Sequence, residues 1–420
     1  MKKQTKVIIA VLIIVLALAG GIFAYYENSP VRTKSIGDVR FNGTVIDEEA
    51  QHWSRSFLGG LLKKDLTIEH SKTPVNELGI LKGLPLTLDY PKDAESTYEL
   101  YYKGEILASG NADEYQNYKY EKNGPYAIKL HVHYPKDKVN DEADVDYSLQ
   151  FGLELDPKIE FSSNSVMQGN ILVVQYDQPY DDKTPEISTG LGPAIFIPRE
   201  NGRWISYVPV GFAQTTGKYD VVVKVGHDYS YTEQVAVTKR EYEEQHLTIS
   251  SSTVASTTGA DANKDFNEKI KPTYEIFDPE KYWTEKFIQP VTGRITTQFG
   301  LYRYTNGSTT AVRHAGIDIA TDKGTPVPAS NDGRVVFADS VIRTGNSVVI
   351  EHGGGLKTYY YHLDSISVKT GDMVKQGDII GAVGTTGYST GPHLHFEVRL
   401  GAYPLSPWEL FNGKSDIYKY

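Results

Sequence analysis

The alternation of apolar and polar residues along the chain falls into three textures. Met1-Lys-Lys-Gln-Thr-Lys6 leads into an uncharged, mostly apolar run from Val7 to Tyr26, close to the ~20 residues a helix needs to cross bilayer hydrocarbon. Residues 28–85 show no sustained period. Trp53, Phe57, Leu61 and Leu62 fall at helix-like spacing, but Gly59-Gly60 interrupts them. From Leu84 the chain turns to short β-rich runs, Leu86–Tyr90, Thr97–Tyr102, Ala127–Tyr134 and Val145–Phe151, broken by turns such as Lys122-Asn-Gly-Pro125. Strands at this spacing predict a β-sandwich. A second set follows: Ile171–Tyr176, Ala194–Ile197, Trp204–Val208, Tyr219–Val225 and Gln234–Thr238.

Ser250–Ala260 is rich in serine and threonine and too poor in apolar residues to pack, which marks a linker. A polar stretch with some helical character continues to about Pro279, and Trp283 and Phe287 open the next core. From Phe287 to Phe411 nearly every segment is a short strand or a glycine turn, including Arg334–Ala338, Ser347–Ile350, Lys357–Tyr361 and Asp378–Val383. The expected protein is mainly β, with an N-terminal transmembrane helix, two Ig-like β-sandwich modules and a small all-β C-terminal domain. The expected segments are a cytoplasmic tip and anchor at 1–27, an unassigned juxtamembrane region at 28–85, and sandwiches at 86–160 and 161–249. A linker at 250–285, the C-terminal domain at 286–412 and a tail at 413–420 complete the chain.

Composition narrows the function classes. The 420 residues carry a formal net charge of −10 and no basic stripe, which argues against nucleic acid as a partner. With no cysteine, the chain has no disulfide framework, thiolate metal site, cysteine nucleophile or lipidated-cysteine anchor. A metal here must be held by histidine and carboxylate. The lysines ahead of the apolar run predict a cytoplasmic N-terminus, with everything after Glu27 outside. Ala17-Leu18-Ala19 resembles a signal-peptidase site, but the run continues through Ile22-Phe23-Ala24 to the aromatic pair Tyr25-Tyr26. An uncleaved single-pass anchor in the cell membrane is therefore expected.

The candidate chemistry lies in the C-terminal domain. Gly384-Thr-Thr-Gly-Tyr-Ser-Thr-Gly-Pro-His-Leu-His-Phe-Glu397 begins as a glycine-rich turn and ends as an alternating run. As a strand it places His393 and His395 on one face and Leu394 and Phe396 on the other. Upstream, His314-Ala-Gly-Ile-Asp318 offers an imidazole and a carboxylate four residues apart, and Tyr361-His362-Leu363 a further imidazole. Hydrolytic zinc is typically held by three side chains and a water. His314, Asp318 and His395 are the expected ligands, leaving His362 and His393 to hydrogen-bond the water or a developing oxyanion. His131-Val-His133 has the same spacing as the C-terminal pair, but no carboxylate stands near it in sequence at ligand spacing. It is expected on the solvent face of a strand.

The stretch from Phe299-Gly300 through His314–Ile319, Gly324–Val327, Gly345-Asn346, Glu351-His-Gly353, Tyr361-His-Leu363, Gly371-Asp372, Gly377 and Gly387–Glu397 resembles the lysostaphin-type (LytM-like) zinc metallopeptidases, which are bacterial cell-wall endopeptidases. The resemblance covers roughly the last third of the chain. It implies Zn2+ on His314, Asp318 and His395, and catalytic roles for His362 and His393. It also implies peptidoglycan stem peptides or cross-bridges as substrate. His352 matches a recurrent position and is expected to be structural or substrate-side, and Tyr302 or Tyr304 stands near a position where some members carry a helpful tyrosine. The second sandwich, from Gln168-Gly169 to the exit Thr238–Thr248, resembles more weakly a module often found before such domains. The sandwiches offer a surface for a regulatory protein. The alternative is a non-catalytic wall-binding or hydrolase-activating protein on the same fold, and the intact ligand set argues against it.

Overall fold

The computed structural model describes residues 2–69, 75–177, 184–199, 202–226, 229–250, 254 and 257–420. The chain forms two compact units, Met1–Asp156 and Pro157–Tyr420.

The first unit begins with an α-helix, Lys2–Asn28, long and apolar enough to cross a membrane and with its apolar side chains exposed. Residues 28–85, unassigned from sequence, belong to this unit and supply five of its strands: Val39–Phe41, Thr44–Ile46, Ala50–Phe57, Leu62–Glu69 and Asn76–Lys82. Trp53 and Phe57 therefore lie in a strand, contrary to their helix-like spacing. A seven-stranded sheet runs in the order Leu62–Glu69, Ala50–Phe57, Glu142–Glu154, Gly124–Tyr134, Glu95–Tyr102 and Glu105–Asn111, and Asn76–Lys82 pairs in parallel with Glu142–Glu154. A three-stranded sheet, containing Val39–Phe41, shares one core with it through Phe41, Ile46, Leu88, Leu100, Val145 and Phe151.

The second unit opens with two four-stranded sheets that share a core, built from strands between Lys158 and Thr238. One sheet contains Asn170–Asp177 and Trp204–Val210, the other Gly217–Val225 and Tyr229–Thr238. Strict alternation would predict one wet face for each sheet, yet Trp204–Val210 is buried along almost its whole length. Its Ile205 and Tyr207, with Ile171, Val173 and Ile197, join the core of the C-terminal domain, while Val174 and Val208 fill the sandwich core. That sheet has a hydrophobic core on each face, as a near-continuous apolar run requires.

Part of the expected linker is packed structure. Ala260–Lys269 is an α-helix, and Phe266, Ile270, Tyr274 and Ile276 lie against Val336, Val341, Val349, Tyr359 and Tyr361. The C-terminal domain is a ten-stranded sheet with the central order Arg294–Thr297, Ile317–Ala320, His393–Leu400, Leu356–Ile366, Gly345–Glu351 and Gly333–Val341. Its longest helix is the five-residue Pro407–Phe411. Leu394 and Phe396 are fully buried below the central strand, each contributing roughly 1.5–3 kcal/mol of burial. This fixes the strand's register, since a slip by one residue would send both histidines into the core.

Candidate metal centre

Strand pairing brings the candidate residues together. In the antiparallel pair Ile317–Ala320 and His393–Leu400, Asp318 stands opposite His395 and Ala320 opposite His393. Opposed residues project to the same face, so a carboxylate and an imidazole from distant parts of the chain meet there. The strands can close because residue 316 is glycine: a Cβ on it would lie 2.1 Å from the Phe396 carbonyl oxygen. His314, just ahead of the strand, completes the group.

His314 Nε2 lies 3.0 Å from Asp318 Oδ1 and 3.0 Å from His395 Nδ1, and His395 Nδ1 lies 2.7 Å from the same carboxylate oxygen. All three residues are buried, and among the described residues they form the one group of three or more with convergent metal-ligand atoms. The outer partners set the tautomers. His314 Nδ1 lies 3.1 Å from the Gln298 carbonyl oxygen, and His395 Nε2 lies 2.9 Å from Glu397 Oε1. A proton on each outer nitrogen satisfies these contacts and turns two lone pairs toward a carboxylate oxygen. Three acceptors at this separation repel one another unless a proton or a cation lies among them. The residues therefore fit a divalent metal ion, with two imidazoles and a carboxylate as the donor set.

The same conflict appears in the protonation equilibria. Burial pushes the His314 pKa below its ordinary value despite the opposing pull of Asp318. Burial also disfavours charge on Asp318, but its contacts with His314 and His395 outweigh burial and hold the carboxyl well below its usual range. His395 shows the same competition with the opposite sign: burial opposes its charge, yet Asp318 and Glu397 raise its pKa to about 9. Glu397 continues the line of support. Burial works against its charge too, but Arg399 and His395 prevail and bring it to about 2. Arg399 Nε donates to Glu397 Oε2 at 2.5 Å, and the guanidinium lies over the Tyr274 ring at 4.8 Å.

His362 and His393 stand at the edge of this group, their rings 4.8 Å apart. A regular strand would turn Tyr361 and His362 to opposite faces. Here the pairing with Gly345–Glu351 shifts, because Val348 opposes Tyr360 and Asn346 opposes Leu363, so that two residues span one on the partner. His362 takes a left-handed backbone at φ 63° within this bulge. That conformation is uncommon for a residue with a Cβ, and bulges of this kind re-aim side chains near active sites. Its backbone N–H donates to the Thr344 carbonyl at 2.8 Å, and its ring Nδ1 lies 2.8 Å from the Thr386 carbonyl oxygen. Burial, then the neighbouring His393 and His395, push the His362 pKa down to about 3, so the ring is neutral with Nε2 free. His393 is oriented alike: Nδ1 is 2.8 Å from the Gly391 carbonyl oxygen and Nε2 is 3.8 Å from Asp318 Oδ1.

The remaining sequence candidates lie elsewhere. His352 is fully buried between the Asp332 carbonyl and the Thr358 hydroxyl, each 2.7 Å away. Tyr304 stacks on His246, and Tyr302 Oη accepts from Arg313 Nη1 at 3.1 Å; among the described residues neither hydrogen-bonds the five site residues. His131 and His133 sit on the outer face of the first unit's sheet. The adjacent strand does bring carboxylates to them, Asp146 and Asp144, each at 2.7 Å. No convergent group of three ligands forms there among the described residues.

Sequence reasoning passed over the supporting residues. Glu397 and Arg399 follow His395 at steps of two, so the face count that paired the histidines also reaches them. Arg303, which donates to Asp318 Oδ2 at 2.9 Å, carries no such local signal.

The buried group of two histidines and one carboxylate on an all-β domain defines a candidate metal centre. Residues 312–407 match the model of peptidase family M23. The chain is 46% identical over 121 residues to the DD-carboxypeptidase/endopeptidase Mpg of Neisseria meningitidis, covering 29% of this chain and 28% of that protein. It is 44% identical over 116 residues to the peptidoglycan DD-endopeptidase ShyB of Vibrio cholerae, covering 28% and 24% respectively. Among solved structures, the catalytic domain of lysostaphin from Staphylococcus simulans is 34% identical with a TM-score of 0.27, the match covering 29% of this chain and 92% of that one. The match thus spans about a quarter of the length of these curated relatives.

Proposed function

We propose that this protein is a membrane-anchored, extracytoplasmic zinc endopeptidase that hydrolyses peptide cross-links of bacterial peptidoglycan. The observation that carries the reading is the buried triangle of His314 Nε2, Asp318 Oδ1 and His395 Nδ1, with His362 and His393 beside it. The activities named for Mpg and ShyB support the substrate class. Zinc suits the donor set, which lacks sulfur and mixes imidazole with carboxylate.

His314, Asp318 and His395 would hold the ion, with Glu397 fixing the ring of His395. When bound, the metal supplies Lewis-acid polarisation and lowers the pKa of a coordinated water toward ~7. The chain's own residues do the rest. His362, neutral and fixed at Nδ1 by Thr386, presents Nε2 as a proton acceptor. His393, fixed at Nδ1 by Gly391, presents a second Nε2 on the same side. One would take a proton from the attacking water and pass it to the amine nitrogen as the C–N bond breaks, and the other would orient that water by accepting its hydrogen bond.

The full chain in detergent should be incubated with purified peptidoglycan, with and without a chelator, and the new amino and carboxyl termini identified. Cleavage at peptide bonds between stems, abolished by the chelator and restored by zinc, is expected. Intact wall beside a zinc-loaded protein would instead favour a non-catalytic wall-binding role.

A further inference from the structure

The two oxygens of Asp318 have different surroundings. Oδ1 faces His314 Nε2 and His395 Nδ1 at 3.0 and 2.7 Å, with His393 Nε2 at 3.8 Å. Oδ2 accepts a hydrogen bond from Arg303 Nη2 at 2.9 Å. The same nitrogen donates to Thr297 Oγ1 at 2.8 Å, and Arg303 Nε donates to Gln245 Oε1 at 3.2 Å. Gln245 is fixed in turn, its amide donating to the Thr296 carbonyl at 3.3 Å.

Gln245 falls within the span 161–249 but outside both four-stranded sheets, and it precedes the M23 match. It lies on Glu244–Leu247, the strand leaving the sandwich, which pairs in parallel with Tyr302–Thr305 and places Gln245 opposite Arg303. The pairing is fastened at both ends. Tyr302 N–H donates to the Glu243 carbonyl at 2.9 Å, Asn306 N–H donates to the Leu247 carbonyl at 2.8 Å, and the Asn306 side chain exchanges two hydrogen bonds with Ile249. His246 stacks on Tyr304 between them, their ring centroids 4.8 Å apart. The sequence Gln245–Arg303–Asp318 is thus a continuous line of contacts from the incoming strand to the metal centre.

We propose that Arg303, braced by Gln245 of the incoming strand, is a positioning residue that occupies Asp318 Oδ2 and so makes Asp318 a one-oxygen ligand. A free carboxylate can chelate a cation through both oxygens or swing about its terminal torsion. A guanidinium donor on one oxygen blocks both, and a charge-assisted hydrogen bond is among the stronger ones. The consequence is a coordination position kept open for water and substrate. The strand from the sandwich is then part of the centre's support, and a domain cut at 286 lacks it. This inference rests on the reading of His314, Asp318 and His395 as the metal ligands.

The test uses the full chain in detergent, stripped of metal and titrated with Co2+ against a chromophoric chelator. The d–d absorption of bound cobalt reports its coordination number. Arg303→Ala should weaken Co2+ binding by ~10–100-fold, the scale for losing an outer-shell partner, and reduce d–d intensity as Asp318 becomes bidentate. Arg303→Lys should recover part of the affinity, and Gln245→Ala should shift both readouts the same way by less. Wild-type affinity and spectrum in Arg303→Ala would overturn the positioning role. If that variant fails to fold, unchanged readouts in both Gln245→Ala and Arg303→Lys would overturn it equally. Asp318→Ala and His395→Ala check the underlying reading: undiminished cobalt binding in both would sink the metal centre itself, and this proposal with it.

Discussion

At the scale of single residues, the five site groups divide by what their far nitrogens or oxygens touch. His314, Asp318 and His395 converge within 3.0 Å of one another, whereas His362 and His393 stand off, their outer nitrogens held by backbone carbonyls. His362→Ala and His393→Ala should therefore keep near-normal zinc content and folding, yet each should lose on the order of a hundredfold or more in turnover. The double variant should lose much less than the product, because both groups act on one transition state. Metal analysis beside wall-peptide cleavage checks this, and a zinc-free His393→Ala would assign it to the ligand set. His352 offers a separate titration away from the ligands. Burial lowers its pKa to about 4 from an unfolded value of 6.5. Below 6.5 the unfolded chain takes up a proton that the folded protein resists, so stability is complete above pH 6.5 and falls as pH drops toward 4. The loss amounts to roughly 3 kcal/mol at full extent. Melting temperature against pH should show a shallower slope across this window in His352→Gln than in the wild type. Equal slopes would mean that His352 does not titrate between the two states.

At the scale of elements, the site depends on how closely Ile317–Ala320 approaches His393–Leu400. A methyl group at residue 316 would stand 2.1 Å from the Phe396 carbonyl oxygen and 2.9 Å from Glu397 Cγ. Gly316→Ala must part the strands, so it should cost ~1–3 kcal/mol, the scale of overpacking, and release zinc more readily. Calorimetry and zinc analysis would show it, and a variant matching wild type in both would refute the close-approach argument. The sequence made this part of the fold legible because the short strands, the glycine turns and the His-x-His alternation are all local signals. Other parts were not local. Trp53, Phe57 and Leu61 lie four apart, a spacing that also returns to the same strand face, so it could not distinguish helix from strand. Asn76–Lys82 finds its partner beyond residue 148, in parallel, a pairing that no short window contains. The same limit hid Arg303, whose role exists only once Gln245, Thr297 and Asp318 are brought around it. Glu397 was within reach of the alternation count, since it shares the face of His395.

At the scale of the whole molecule, the N-terminal helix is long and apolar enough to cross a membrane. Lys2–Asn28 spans 27 residues, about 40 Å at the helical rise, of which the apolar run Val7–Tyr26 covers ~30 Å of hydrocarbon. Its side chains lie uncovered along that length, a surface suited to lipid. Lys2, Lys3 and Lys6 stand at one end, and no lysine or arginine occurs again before Arg32. This asymmetry favours retention of the lysine end in the cytoplasm. At the other end, Tyr26 Oη donates to the Lys63 carbonyl at 2.6 Å and its ring meets Phe57 at 5.1 Å, tying the helix end to the first unit's sheet. The expected outcome is a membrane-fraction protein with Met1 or Lys2 at its N-terminus. Protease added outside spheroplasts should digest nearly everything beyond residue 28. Replacing Lys2, Lys3 and Lys6 with glutamine should reduce the protease-accessible share, because the charge asymmetry that orients the helix is gone. A soluble protein beginning at Gly20 would overturn the anchor and identify the segment as a cleaved leader.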